Sequence, residues 1–449
     1  MSNAPLIRLY GPDDVLAWEA DSPRSASEFL SDVAELADAL PDVPSVLNLL
    51  SSRYEFLVGF AAAMARRQVT LLPQSRAFQT LRRIAGEHGD CYALVDRGDS
   101  IDGLPCVTLS PRRGRSVRSF EVPHFPLHQE VAVAFTSGST GQPMPNRKTW
   151  GALVSVARDT GSRFCLETGR GRAVVATVPH QHMFGLEASV MLPIQHGLAM
   201  HAGRPLFPED VRTALADVAG RSVLVTTPLH LRACLMTGAT WPSIEMIVSA
   251  TAPLPRELAR EAEERFQAPV SEIFGFAEAG SVASRRTVSA DEWQLLDAVT
   301  VTEEEAGWAV RAEYLSRPVR FRDRIAVIGQ RSFRVLGRTE DQVNIAGHRA
   351  SLGDLTRKLL EIEGVQDGVF YLPDAGQGSL ARLTAVVVAP GKTSEEIRRA
   401  LRLSIDPVFL PRPLVLVPRL PRNETGKLPR EALHRLVEQY SEHGSVHEC

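Results

Sequence analysis

Short apolar runs recur along the chain at 46–50, 70–72, 173–178, 222–225 and 245–248. Between several of them, apolar residues return every three or four positions, as in 55–65 and 256–266. That spacing is one face of a helix. Strands alternating with helices predict α/β layers with largely parallel sheets. From Trp308 to Phe333 the pattern shortens and alternates, which predicts a small antiparallel section. After Gly337-Arg338 the chain restarts, with strands expected at 370–372 and 383–388 and helices at 394–403 and 429–440, each with Ser or Pro near its start. We therefore expect a large N-terminal domain of layered α/β subdomains over 1–337 and a small α+β C-terminal domain over 338–449.

Length and composition agree with this division. A chain of 449 residues is too long for one ordinary core. Its 44% hydrophobic and 23% charged content is that of a globular protein. A net charge of −3 offers no global basic field for nucleic acid. Pro111-Arg112-Arg113-Gly114-Arg115 reads as an exposed basic loop. The five cysteines (Cys91, Cys106, Cys165, Cys234 and Cys449) are scattered and form no C-x-x-C pair. This argues against a disulfide framework or a zinc site and for a reducing, cytoplasmic setting. The first residues carry Asp13 and Asp14 and no apolar stretch of the signal-peptide kind. No run of about 18 apolar residues predicts a membrane span.

The stretch richest in chemistry is Thr136-Ser137-Gly138-Ser139-Thr140-Gly141-Gln142-Pro143, directly after the apolar run 131–135. Gly138 and Gly141 let the backbone curl without a Cβ penalty. The hydroxyls of Thr136, Ser137, Ser139 and Thr140, with successive N–H groups, make an anion cradle. That points to grip on a polyphosphate, although a Ser/Gly/Thr turn after a strand is commonly a plain loop. The Walker spacing G-x-x-x-x-G-K-[ST] is missing.

Five further segments follow in order. They are Pro179-His180-Gln181-His182-Met183-Phe184-Gly185, Ser249-Ala250-Thr251-Ala252-Pro253-Leu254-Pro255 and Phe274-Gly275-Phe276-Ala277-Glu278-Ala279-Gly280, then the stretch from Gly337 to Arg349, then Leu420-Pro421-Arg422-Asn423-Glu424-Thr425-Gly426-Lys427. In this order and spacing the chain, over roughly 40 to 440, resembles the adenylate-forming superfamily of acyl- and aryl-CoA synthetases, peptide-synthetase adenylation domains and luciferases. The Gly337–Arg349 stretch looks especially like acetyl-CoA synthetase-type enzymes. The resemblance implies two steps: a carboxylate attacks the α-phosphate of ATP and releases pyrophosphate, then a thiol displaces AMP. The small domain is expected to rotate between them. Such chemistry needs positioning and charge neutralisation more than covalent help.

The resemblance also implies roles. Thr136, Ser137, Gly138, Ser139, Thr140 and Gly141 match the loop that grips the β- and γ-phosphates. Where the family places Lys after the loop's Pro, this chain has Met144, and the nearest Lys is Lys148. Either Lys148 reaches back or the loop works without that charge. Ala250, Thr251 and Ala252 match a nucleotide-site segment. Phe274 matches the aromatic that stacks on adenine, with Gly275 beside it. Glu278 matches the carboxylate that holds Mg²⁺. Ala277 stands where a Thr is usual, so one phosphate contact is missing. Asp323 matches the Asp that takes both ribose hydroxyls, with a surface salt bridge to Arg322 or Arg324 as the other reading. Arg338 matches a second ribose or phosphate contact, and Glu340 the hinge.

Lys427 is the leading catalytic candidate, an ammonium able to stabilise charge growing at the α-phosphate; otherwise it is an exposed Lys after a Gly turn. Gly347 and Arg349 match the stretch lining the thiol tunnel, although Gly347 is otherwise a turn residue. His180 and His182 form H-x-H, but no third ligand lies near in sequence. His182 is expected to wall and gate the acid and ATP pockets. Met183, Phe184, Gly185 and Thr227 are expected to line a small acid pocket.

The compact length resembles the aryl:acyl-carrier-protein ligases of aryl-polyene and xanthomonadin-type pigment clusters. That implies a hydroxybenzoate as the acid and an acyl carrier protein as the acceptor. Arg398, Arg399 and Arg402, on one predicted helix, form either a basic face for an acidic carrier or a solvated surface. Two other readings stay open here: a synthetase that uses free CoA, and an adenylation-deficient binding protein, for which Met144 and Ala277 are the reasons.

Overall fold

A computed structural model describes residues 2–19, 22–73, 75–109, 120–137, 143–166, 171–218, 220–305, 307–338, 342–345, 348–373, 383–423, 426 and 428–443. The basic stretch 111–115 lies outside them. The fold is the expected mixed α/β, with a large N-terminal domain and a smaller C-terminal part.

Two sheets organise the large domain. In the first, Pro143–Thr149, Glu130–Ser137, Val69–Leu72, Ser45–Asn48, Cys91–Val95 and Cys106–Thr108 lie side by side. All pairs are parallel except the hairpin of Glu130–Ser137 with Pro143–Thr149. Ser45–Asn48 and Cys91–Val95 are buried at every position, as expected for parallel strands covered on both faces. The second sheet has eleven strands, with Val270–Phe276, Ile244–Ser249, Arg221–Thr226, Arg172–Ala176 and Ala199–His201 as its parallel centre. Antiparallel strands from Gly280–Arg286 to Ser332–Arg338 extend one edge.

The helix Arg53–Ala65 packs against strands of both sheets. It is capped by Ser52, whose hydroxyl accepts from the Glu55 N–H, so it begins two residues before the apolar period suggests. Its first residue, Arg53, is fully buried. The guanidinium donates to Ser189 Oγ (3.0 Å) and to the carbonyls of His201 (2.7 Å), Gly203 (2.8 Å), Ala176 (3.2 Å) and Val178 (3.3 Å). A buried Arg is tolerable only with its donors met. Here they tie the helix to the loop ends of the second sheet.

The C-terminal part has its own core, in which Leu355 and Leu359 of the helix Leu352–Leu360 meet Phe370, Val387, Ile397 and Leu401. Its sheet is Asp367–Tyr371, Thr384–Val388 and Leu414–Leu416. The helix Ser394–Leu401 opens on a capping box between Thr393 and Glu396. It ends before Leu403, which is 90% exposed.

Candidate active site

Parallel strands that start together also end together, and in open α/β sheets ligands bind beyond the carboxyl ends. Ala176 is in register with Val225, Thr226 with Ser249, and Ser249 with Glu272. The segments after these strands, Pro179–Gly185, Thr227–His230 and Ala250–Ala252, therefore share one edge with Phe274–Glu278.

At this edge His180 and His182 part company. His180 is buried, lies 4.6 Å from the Phe56 ring and bonds the Leu50 carbonyl at 2.9 Å. Burial and the nearby Arg53 depress its pKa to about 3, so the ring is neutral and structural. His182 is half-buried and precedes the short helix Met183–Leu186. Of the expected pocket residues, Met183 and Phe184 are 9% and 8% exposed and join core clusters. A Cβ on Gly185 would lie 1.9 Å from the Pro179 carbonyl oxygen, so only Gly closes this turn. Thr227 is fully buried and caps the helix Pro228–Leu235, with its Oγ1 2.9 Å from His230 Nδ1.

Thr251 adopts φ +78°, which a β-branched residue rarely does and which costs of order 1–3 kcal/mol. The C-terminal part meets the site here. A Cβ on Gly426 would lie 3.8 Å from Thr227 Oγ1, 3.9 Å from Leu229 Cβ and 4.0 Å from Thr251 Oγ1. Gly426 is held in turn: its N–H donates to the Asn423 carbonyl, and its own carbonyl accepts from Arg422 at 2.9 Å. Arg422 makes a bidentate pair with Asp367, both bonds 2.7 Å.

On the other side of the edge, Phe274 belongs to an aromatic group. Its ring is 5.4 Å from Trp293, 5.4 Å from Phe333 and 6.1 Å, stacked, from Phe321. The register shifts between Phe274 and Gly275, a bulge of the kind that re-aims a strand beside a site. A Cβ on Gly275 would meet the Gly280 carbonyl oxygen at 2.4 Å. Phe321 leads directly into Arg322 and Asp323, and Asp323 opposes Arg338 across an antiparallel pair. Arg322 forms its salt bridge with Glu278.

The hairpin that flanks the expected phosphate loop ends in register, Thr136 with Met144 and Ser137 with Pro143. Met144 is 53% exposed. Lys148, on the same strand, is 5% exposed, and its Nζ donates to the Glu278 carbonyl at 2.9 Å. Burial pulls its pKa down, against the opposing charges of Glu187 and Glu278. Glu187 is buried too, and its carboxylate accepts from Ser281 N (3.1 Å) and Ser281 Oγ (2.7 Å). Burial raises its pKa, while those bonds and Lys148 pull it down.

Gly138, Ser139, Thr140, Gly141, Glu340, Gly347 and Lys427 lie outside the described residues, and Thr136, Ser137, Arg338 and Arg349 are described in their main chain. Strand register puts the segments that carry His182, Thr227, Ala250 and Thr251 at one sheet edge with Phe274 and Glu278, and Gly426 lies beside Thr227 and Thr251. Sequence reasoning missed Arg53, Glu187, Phe321 and the role of Arg322. For Glu187 a signal existed: it is one charge in the otherwise apolar stretch Met183-Phe184-Gly185-Leu186-Glu187-Ala188. Among the described residues, no group of three or more His, Cys, Asp or Glu could hold a metal ion, and no helix is long and apolar enough to cross a membrane.

The AMP-binding enzyme family matches residues 44–313. The 4-coumarate–CoA ligase of Halorhodospira halophila is 29% identical over 301 residues, 65% of this chain and 73% of that protein. The 4-coumarate–CoA ligase of Rhodobacter capsulatus is 30% identical over 236 residues, 52% of this chain; the match spans only 58% of that enzyme's length. In fold, the chain is similar to the o-succinylbenzoate CoA synthetase of Bacillus subtilis in complex with its acyl-adenylate intermediate. The TM-score is 0.80 at 16% identity, covering 96% of this chain and 98% of that one. A family match over more than half of the residues, on the strand ends just described, establishes that the chain belongs to the AMP-binding enzyme family.

Proposed function

We propose that this protein is an AMP-forming acid–thiol ligase that activates an aryl carboxylic acid with ATP and passes the acyl group to a phosphopantetheine thiol. In the first step a carboxylate oxygen bonds to the α-phosphorus and the bond to pyrophosphate breaks. In the second, sulfur bonds to the acyl carbon and AMP leaves. The observation that carries this reading is Gly426, the residue before Lys427, seated against Thr227 and Thr251 at the strand ends. A loop from the small part thereby reaches the edge where an acid and a nucleotide would meet.

The residues divide the work accordingly. Thr136, Ser137, Gly138, Ser139, Thr140 and Gly141 grip the terminal phosphates. Phe274 offers its face to adenine, and Asp323 with Arg338 takes the ribose. Lys427 stabilises the charge that grows at the α-phosphate. His182, Met183, Phe184, Gly185 and Thr227 border the acid, with Ala250, Thr251, Ala252 and Gly275 forming the floor by the nucleotide. Glu340 is the hinge, and Gly347 and Arg349 line the thiol path after the small domain turns.

A divalent cation fits this donor set. A Mg²⁺ in a nucleotide site takes one or two carboxylates besides phosphate oxygens and water. Glu278 offers such a carboxylate with 24% of its side chain exposed. When bound, Mg²⁺ neutralises phosphate charge. Glu278 must then share or release Arg322.

A hydroxybenzoate is the acid we favour, supported by relatives and a fold neighbour whose names specify aryl acids, 4-coumarate and o-succinylbenzoate. A carrier protein is the proposed acceptor. Two of the three arginines expected to face it are partly neutralised: Arg398 and Arg402 lie 4.0 and 3.8 Å from Glu395. Free CoA is the second reading, favoured by the names of the relatives. Acid-dependent exchange of pyrophosphate into ATP over a panel of hydroxybenzoates, cinnamates and fatty acids tests the first step. Exchange with none of them overturns the enzyme assignment, and exchange with fatty acids alone overturns the aryl assignment. Loading of holo-carrier protein faster than CoA is expected; equal or faster loading of CoA selects the second acceptor.

A further inference from the structure

We infer that Lys148 is a positioning residue that joins the phosphate-loop hairpin to the main chain of Glu278, with Glu187 and Ser281 as the other half of the clamp. The inference rests on the reading of Glu278 and the hairpin as parts of a nucleotide site. It changes the role of Lys148 from a phosphate contact to a brace.

The two ends of the brace lie in different sheets. Lys148 stands on Pro143–Thr149, in the six-stranded sheet, while Glu278 follows Val270–Phe276 in the eleven-stranded one. The amine donates to the Glu278 carbonyl at 2.9 Å. Three residues on, the same turn is gripped from its other end, where the Ser281 N–H donates to Glu187 at 3.1 Å and its hydroxyl at 2.7 Å. Between these points Gly280 takes φ +81°, and a Cβ there would come within 2.7 Å of Glu187 Oε1. The turn 277–280 is thus held by an amine donating to a carbonyl and by a carboxyl group accepting from an N–H and a hydroxyl.

Geometry separates this role from a direct contact. At 5% exposed and bonded to a carbonyl, Lys148 has little surface to offer a phosphate. A buried ammonium is costly to maintain unless partners meet it, and an apolar residue would fill the same volume on this strand without that cost. Glu187 occupies the π-helical turn Glu187–Met191, a distortion that recurs near functional sites. A shift of the hairpin is transmitted through Lys148 to the main chain of Glu278, so the strand that follows the expected phosphate loop and the turn that carries Glu278 move together.

The test compares wild type, Lys148→Met and the double variant Lys148→Met/Glu187→Gln. Calorimetry measures affinity for α,β-methylene-ATP with and without Mg²⁺, alongside thermal melts and steady-state kinetics. Lys148→Met should lose about tenfold in the Mg²⁺-dependent affinity and raise the KM for MgATP, with the KM for the acid within about twofold. The double variant should recover the melting temperature, because no unpaired charge remains buried, without recovering the Mg²⁺-dependent affinity. A Lys148→Met that melts lower but binds the analogue like wild type overturns the brace and leaves the proposed function standing. Recovery of both properties in the double variant also overturns it. Wild type that fails to bind the analogue in Mg²⁺ overturns the proposed function and the brace together.

Discussion

The Glu278 carboxylate is paired with Arg322, the residue immediately before Asp323. A surface salt bridge to Arg322 or Arg324 is the other reading of Asp323. The antiparallel pairing instead sets Asp323 opposite Arg338, and the loop carries Arg322 to the turn that holds Glu278. A carboxylate proposed to take a cation is therefore neutralised before any cation arrives.

Removing that competitor should ease cation binding. In Arg322→Gln, the Mg²⁺ needed for half-maximal pyrophosphate exchange should fall. The pair is exposed on the Arg side (54%), so its worth is about 0.2–1 kcal/mol and the shift about fivefold at most. A higher Mg²⁺ requirement in the variant would instead place Arg322 among the groups that bind nucleotide.

Lys427→Ala should nearly abolish adenylate formation and spare thioester formation from a supplied acyl-adenylate. The motive is the seat of Gly426 at Thr227 and Thr251. Loss of one preorganised charge should raise the first barrier by about 3–4 kcal/mol. Pyrophosphate exchange at the wild-type rate would remove Lys427 from the first step.

Thr251→Gly should stabilise the fold by up to about 1 kcal/mol, since glycine reaches φ +78° without the Cβ penalty. Urea unfolding of variant and wild type measures this. The strain is retained at the strand ends facing Gly426, so adenylation should slow even as stability rises. A variant both less stable and fully active refutes the strain argument.

His180 makes stability depend on pH. Its folded pKa, about 3, is depressed from 6.5 by burial and by Arg53. The unfolded state therefore binds the extra proton between these values. The contribution is fully present above pH 6.5 and declines as pH falls toward 3, by at most about 1.4 kcal/mol per pH unit. Against wild type, His180→Gln should look least favourable at pH 7 and catch up at pH 4.5 in denaturant titrations. A stability difference that stays constant over that range rejects the assignment.

Local pattern made much of the architecture legible. The helix Arg256–Phe266 was readable residue for residue, because one apolar face repeats without interruption. The buried strands announced themselves as short apolar runs, and the helix Ser394–Leu401 was expected from Ser394 to Leu403, although Thr393 is its cap and it stops two residues sooner. The motif segments were legible as well, as glycines and clustered hydroxyls that follow apolar runs. The order of those segments carried the resemblance to adenylate-forming enzymes, and the match over residues 44–313 established the family. What the sequence could not decide is which groups meet. Lys148 and Glu278 are partners only because two sheets close on one another, and Arg322 pairs with Glu278 because the loop before the strand Asp323–Ile328 lies beside the turn that carries Glu278. The buried carboxyl group of Glu187 finds its partners in Ser281, far along the chain, which supplies an N–H and a hydroxyl. Hydrophobic period is a property of neighbours in sequence and survives in any fold that buries the same face. The partner of a buried charge is set by long-range packing, and only the tertiary structure specifies it.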